Sequence, residues 1–422
     1  MTKEQNINQL PKDWKWVKLG DAGKIISGGT PSTAVPEYWK GNINWIAPSD
    51  LTGYKKKTIK NGAKSITEIG LKNSSARLMP KGSVLFSSRA PIGYVVIADE
   101  ELSTNQGFKS VIPNENINSD FLYYFLLASK RNAQQVASGT TFKEISLAKF
   151  SELKFPLPPK STQQAIVSKI EELFSELDKG IENLRTAQQQ LKTYRQSVLK
   201  WAFEGKLTNE NVEDGELPKG WKWLKFGELF SESPQNGLYK SSTEYGSGTP
   251  IIRIDGFYDG IILSDYQYKR VRLTDEEINR YLISVGDILV NRVNSMPYLG
   301  KCGIVKHLKE KTVFESNIMK LRVKRDTVSP EYLTMYLSSK KGIMELRKNA
   351  KQAVNQASIN QTDVSNVIVP LPLIEEQNNI VQQIESRLSV ADKMEESITQ
   401  SLQQSEALRQ SILKKAFEGK LI

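Results

Sequence analysis

The chain repeats itself at domain scale. Residues 10–21 read LPKDWKWVKLGD and return as LPKGWKWLKFGE at 217–228; residues 196–207, QSVLKWAFEGKL, return as QSILKKAFEGKL at 410–421. Offsets of 207 and 214 residues are far longer than a solenoid unit. The 422 residues therefore form two similar halves, and an element placed in one half should have a counterpart in the other.

Each half has the same internal order. After Trp-Lys-Trp, apolar β-rich runs predict strands at 84–86 and 94–98 in the first half, and at 251–254, 288–290 and 320–323 in the second. Amphipathic spacing predicts one helix over 120–136 and one over 330–347. Prolines then stop the pattern, at Pro156, Pro158 and Pro159 and again at Pro370 and Pro372, and from there the copies align without a gap. Short strands mixed with helices make the fold class α+β.

Beyond each proline stop lies a long helix. Ile166, Ile170, Leu173, Leu177, Ile181, Leu184, Ala187, Leu191, Tyr194, Val198 and Ala202 fall mostly four and three apart, the seam of a coiled coil. Ser161 with Gln164 fits a capping box at its start. The second copy keeps the seam at Ile380, Ile384, Leu388, Ala391, Ile398, Leu402, Leu408 and Ile412. Such a stripe must be buried, and the partner at hand is the other copy. Because the second helix has to return along the first, the pair should be antiparallel, with the two domains at opposite ends of a rod of roughly 65 Å about an approximate twofold axis. The expected divisions are 1–155 (first domain), 156–208 (first long helix), 209–369 (second domain) and 370–422 (second long helix).

Composition narrows the function. Lys and Arg number 58 against 47 Asp and Glu, a net charge of +11 that points to an anionic partner, nucleic acid first. One histidine, His307, and one cysteine, Cys302, exclude an internal disulfide and a Cys/His zinc cluster, and neither is expected to have a special role. A polar start and the lack of an 18-residue apolar run argue against a signal peptide or membrane span, so a cytoplasmic protein is expected. There is no Gly-x-x-x-x-Gly-Lys-Ser/Thr loop and no Asp/Asn-Pro-Pro-aromatic methyltransferase motif. Glu204-Gly205-Lys206 and Glu418-Gly419-Lys420 match half of a metal-nuclease motif, but at helix ends these glycines read better as C-caps.

The order of domain, Pro-Leu-Pro, Gln-rich helix ending in Ala-Phe-Glu-Gly-Lys-Leu, then the same again, resembles the DNA specificity subunit of type I restriction-modification systems over essentially the whole chain. The most specific pieces are Gly28-Gly29-Thr30-Pro31-Ser32, Tyr38-Trp39 with Trp45, Ser88-Arg89-Ala90-Pro91-Ile92-Gly93, Asn105-Gln106-Gly107 and the two helix ends. The resemblance implies two target-recognition domains, each reading one half of a split asymmetric site on double-stranded DNA, with the helices setting the gap and docking two modification subunits. It implies no catalytic residue, cofactor or metal in this chain. S-adenosylmethionine-dependent adenine methylation would belong to the modification subunits, and ATP- and Mg-dependent translocation and cleavage to restriction subunits. The second half lacks Gly-Gly-Thr-Pro-Ser and carries an insertion at 291–300. A self-contained DNA methyltransferase or nickase is the alternative.

Phosphate and base contacts call for Lys and Arg together with polar side chains. First-domain candidates are Thr30, Ser32, the cluster Lys55, Lys56 and Lys57, Arg89 in a turn between strands, Gln106, Lys109, Thr140, Thr141 and Lys143. Second-domain candidates are Arg253, Arg292, Asn294, Asn317, Lys320, Lys351, Gln352 and Asn355. The lysine run reads equally as a solvated surface, and Arg89 alternatively packs on a carboxylate. Trp14, Trp16, Trp221 and Trp223 read as anchors rather than stacking platforms. On the first helix, Gln188, Gln189, Gln190, Arg195 and Lys200 are candidates for a partner-facing surface.

Overall fold

The computed structural model describes residues 10–89, 91–138, 143–213, 215–258, 260–263 and 267–422. The chain divides into two compact units, Met1–Leu184 with Gln400–Ile422, and Arg185–Thr399. The division falls inside both long helices, Lys160–Phe203 and Ile374–Phe417, so each unit holds one end of each helix.

In the first unit a five-stranded sheet runs in the order Gly23–Ser27, Lys109–Pro113, Val84–Phe86, Val95–Ala98 and Thr58–Ile59, antiparallel except at the last pair. A three-stranded sheet joins Lys64–Ile66, Trp39–Ile46 and Ser103–Thr104. The second unit repeats the plan. Its larger sheet runs Phe230–Asn236, Ile318–Val323, Ile288–Asn291, Cys302–Ile304, Gly260–Ile262, Phe257–Tyr258, and its smaller one Lys269–Val271, Tyr245–Ile252, Val313–Phe314. It adds a third sheet of Val293–Asn294, Gln356–Ser358 and Lys351–Ala353, where the first unit has isolated bridges from Arg89 and Ser138 to Glu144.

Several sequence expectations are corrected. Pro156 and Pro370 sit in strands: Lys154–Leu157 pairs with Lys15–Lys18, setting Pro156 opposite Trp16, and Ile368–Leu371 pairs with Lys222–Lys225, setting Pro370 opposite Trp223. A two-stranded ribbon has free edges, where the missing proline N–H is tolerated. The helix expected over 120–136 is two, Ser119–Ala128 and Lys130–Val136, and that over 330–347 is Pro330–Ser338 and Lys340–Arg347. In the second case Ser339 turns extended and its hydroxyl accepts from Gly342 N, capping the next helix. The strand expected at 251–254 ends at Ile252, because Ile254 N is taken by Glu315 Oε1 at 2.8 Å instead of a ladder partner.

The first long helix starts one residue earlier than expected, and both are held differently than expected. Ser161 lies inside a helix that begins at Lys160, and Gln164 accepts from Asn118 Nδ2 instead of closing a capping box. The start is held by Gln163, fully buried, whose Nε2 donates to Asn116 O and Pro158 O while Oε1 accepts from Asn118 N at 2.8 Å. Gln377 repeats the device, donating to Thr327 O and Pro372 O and accepting from Ser329 N. The far ends close as C-caps. Gly205 (φ +77°) and Gly419 (φ +68°) are left-handed, and Lys206 N and Lys420 N donate back to Trp201 O and Lys415 O, each at 2.8 Å.

Both cores are completed by the helix ends. In the first unit Ile166, Ile170 and Phe174 share a core with Ile412 and Phe417, whose ring lies 5.1 Å from Phe121 and 5.6 Å from Phe125. In the second, Phe203 lies 5.4 Å from Tyr332 and 5.2 Å from Tyr336, within a core that also holds Val198, Ile380 and Ile384. Ala391 is also buried, and Leu173, Leu177, Ile181, Leu184, Leu191, Tyr194, Leu388, Ile398 and Leu402 are half-buried. Leu408 is the exception at 51% exposed. Three-four spacing from Leu402 passes through Ser405 and Arg409 to Ile412, and Arg409 lies 4.5 Å over the Phe174 ring, bonded to Asp178.

Gln163→Ala should lower stability by about 3 kcal/mol and Gln164→Ala by less than about 1 kcal/mol, read from the midpoint of urea unfolding.

Candidate nucleic-acid interface

In the first unit the Gly-Gly-Thr-Pro-Ser segment lies against residues 104–108. Gly28 N donates to Phe108 O (3.3 Å), Gly29 N to Thr104 O (2.8 Å), and Trp45 Nε1 to Gly29 O (2.9 Å). An added Cβ at Gly28 would stand 1.8 Å from Asn105 O, which explains the glycine there. The close approach brings Thr30 onto Gln106, the hydroxyl donating to the amide oxygen, and leaves Gln106 and Ser32 exposed. Edge-to-face packing of Trp39 on Trp45, centroids 5.2 Å apart, supports the segment from below.

The cationic candidates separate into two groups. Lys55, Lys56 and Lys143 are exposed, and Arg89 is exposed while its backbone bridges Glu144. Lys57 and Lys109 are committed within the protein. Lys57 Nζ lies 2.7 Å from Asp120 and 2.6 Å from Glu171; burial opposes its charge, but those two hydrogen bonds outweigh burial and hold the ammonium above the usual lysine range. Lys109 is 7% exposed and pairs with Glu144 at 3.3 Å. Thr140 and Thr141, with Gly139, Phe142 and Ala90, lie outside the described residues.

In the second unit Arg253 is held by Glu315 at 3.0 Å. Lys320 is buried and donates to Leu282 O at 2.9 Å, and its pKa is lowered by burial. Arg292 is half-buried, donates from Nη1 to Ser316 O at 3.0 Å, and is likewise lowered by burial. Its backbone register is that of Ser88, not Arg89: Arg292 N donates to Asn317 O and Ile359 N to Arg292 O, as Ser88 N donates to Gly107 O and Ile145 N to Ser88 O. Asn294 Oδ1 accepts from Ser295 N, and Asn317 is half-buried. Lys351, Gln352 and Asn355 stand exposed on a hairpin, next to Val354 at 93% exposure.

Other candidates resolve as framework. Trp14 and Trp221 lie beside Gly419 and Gly205, whereas Trp16 and Trp223 are half exposed, the latter with Lys341 Nζ 4.3 Å over its ring. Arg195 binds Asp392 (2.6 Å) and Glu395 (3.0 Å) on the other long helix. Cys302 is 2% exposed and burial pushes its thiol up to about 11, so it is not a ready nucleophile. Among the described residues no group of three or more His, Cys, Asp and Glu could hold a metal, and no helix is long and apolar enough to cross a membrane. The glutamines at 163 and 377 escaped sequence reasoning, since only their shared place five residues after a proline, Pro158 and Pro372, marks them.

Duplicated mixed-sheet domains, each closed by helix ends and carrying exposed cations and amides on its loops, define a tandem recognition protein. The family described as the type I restriction modification DNA specificity domain matches residues 11–185 and 218–404, and the chain belongs to that family. It is 34% identical to the type I restriction enzyme MjaIX specificity subunit of Methanocaldococcus jannaschii, over 72% of this chain and 74% of that one. It is 27% identical to the EcoKI specificity subunit of Escherichia coli (strain K12), over 99% and 91%. The fold matches a chain solved in work on complex assembly and conformational transition of the type I R-M system, with TM-score 0.72, 21% identity and 98% and 99% coverage. The HsdS subunit from Thermoanaerobacter tengcongensis matches with TM-score 0.65 and 20% identity over 99% of each chain.

Lys57→Ala, which leaves Asp120 and Glu171 without their shared cation, should cost about 1 kcal/mol in thermal unfolding at neutral pH, while Lys55→Ala and Lys56→Ala should stay within about 0.5 kcal/mol of the parent.

Proposed function

We propose that this chain is the DNA-recognition subunit of a type I restriction-modification complex, each domain binding one half of a split asymmetric site while the chemistry resides in partner subunits. The observation that carries this reading is the specificity-family match to both copies of the repeat. Relatives that align with nearly the whole chain bear the name of specificity subunits. The exposed Lys55, Lys56, Lys143 and Lys351 supply phosphate contacts, and the exposed amides of Gln106, Gln352 and Asn355 suit base edges.

Two modification subunits dock on the long helices, one for each copy of the repeat, and bind S-adenosylmethionine; restriction subunits, where they join, bind ATP and Mg. The helices set the gap between half-sites, and the complex works in the cytoplasm.

The test is reconstitution. With its own modification subunits and S-adenosylmethionine, the chain should direct adenine methylation to one bipartite motif, and binding should weaken steeply with salt. Lys55→Ala and Lys56→Ala should each reduce the slope of log K against log salt by about one without altering the motif. One extra helical turn in both long helices should lengthen the preferred gap. Methyl transfer or DNA nicking by the purified chain alone would overturn the reading in favour of a self-contained methyltransferase or nickase.

A further inference from the structure

The second unit builds something its counterpart lacks. Its insertion at 291–300 contributes the strand Val293–Asn294, which pairs with Gln356–Ser358, and that strand pairs with Lys351–Ala353. The hairpin so formed turns at Val354 and Asn355, the latter left-handed at φ +62°. Lys351, Gln352, Asn355 and Gln356 are exposed, and residues 346–362 contain no Asp or Glu. The result is a ribbon of amides and cations with no acidic group to repel a polyanion.

Arg292 stands at the root of this sheet, its carbonyl accepting from Ile359 N at 2.9 Å. Three arginines of the unit are neutralised by carboxylates, Arg253 by Glu315, Arg270 by Glu310, and Arg322 by Asp287 and Glu232, and Arg347 donates from Nε to Leu299 O and from Nη2 to Pro297 O. Arg292 has no carboxylate partner among the described residues; Nη1 donates to Ser316 O, and Nε is buried without a hydrogen-bond partner. The neighbouring Asn291 is fully buried, and neither atom of its amide is bonded. A half-desolvated cation with no counter-charge is costly unless a ligand supplies acceptors. At the same register the first unit has Ser88, whose hydroxyl donates to Gly107 O at 3.1 Å. The two domains thus differ here in donor capacity, as positions that tell two unlike half-sites apart must.

A two-stranded ribbon fits the DNA major groove, a guanidinium matches guanine O6 and N7, and Gln or Asn matches adenine. We propose that the sheet of 293–294, 351–353 and 356–358 is the base-reading element of the second domain, with Arg292 donating to a purine acceptor edge and Gln352 reading an adjacent base. This rests on the chain being a DNA-recognition subunit.

The experiment maps methylated motifs, by sequencing, in cells expressing the full complex with the parent chain, Arg292→Lys or Gln352→Ala. Arg292→Lys keeps the charge but loses the planar fork, and Gln352→Ala changes an exposed side chain that the core does not need. Each should relax the base requirement at one position of one half-site, with discrimination falling about 5- to 150-fold, while the other half-site and the salt slope stay unchanged. Unchanged motifs in both variants overturn the proposal, as does a uniform loss of binding with a shallower salt slope, which marks phosphate contacts. If Arg292→Lys lowers the melting temperature, Gln352→Ala decides alone. A parent complex that methylates no bipartite motif overturns the recognition reading itself, and this inference with it.

Discussion

The whole structure depends on where two 44-residue helices hide their apolar stripes. Neither helix can remain half-apolar in water, and neither domain has a complete core without helix ends. Both needs are met together. Ile166 and Ile170 from the start of one helix, and Ile412 and Phe417 from the end of the other, close the first core; Val198 and Phe203 with Ile380 and Ile384 close the second. Each large apolar side chain so buried contributes roughly 1.5–3 kcal/mol. The Phe of Ala-Phe-Glu-Gly-Lys-Leu is therefore a core residue of the domain that its helix end reaches, and the Gly two residues later ends the helix beside a proline and a tryptophan.

Polar devices fix the geometry that hydrophobic burial alone leaves loose. Gln163 and Gln377 each tie a helix start to the proline segment before it and to the N-cap residue of a domain helix, and as buried amides they are satisfied only in that one arrangement. The repeat preserves these joints and the helix C-caps. It varies the surfaces instead: the Thr30–Gln106 pair of the first unit and the hairpin with Arg292 of the second have no common sequence.

Much of this was legible in the sequence because it rests on periodicity. The repeat, the two long helices and most of the seam follow from apolar spacing, and the glycine caps follow from their position after the last apolar residue. What was not legible depends on partners distant in the chain. A proline in a strand looks like a breaker until the opposing Trp16 or Trp223 is known. Leu408 looks like a seam residue until three-four spacing is carried through Ser405 and Arg409. Among the candidate contacts, Lys57 is indistinguishable from Lys55 and Lys56 in sequence, yet Asp120 and Glu171 claim it; Arg292 reads as one arginine among several, and what sets it apart is a buried, unbonded Nε beside the unbonded amide of Asn291.

The discontinuous first unit has a consequence for synthesis. Its segment up to Leu184 emerges from the ribosome long before Gln400, the first residue of the helix end that completes its core. At about 5–20 residues per second that interval lasts on the order of 10–40 s. For that time the groove destined for Ile412 and Phe417 is open, so the nascent first domain is the stage at which chaperones or aggregation compete for the chain, and any message cut short before the last helix yields a protein with both cores unfinished.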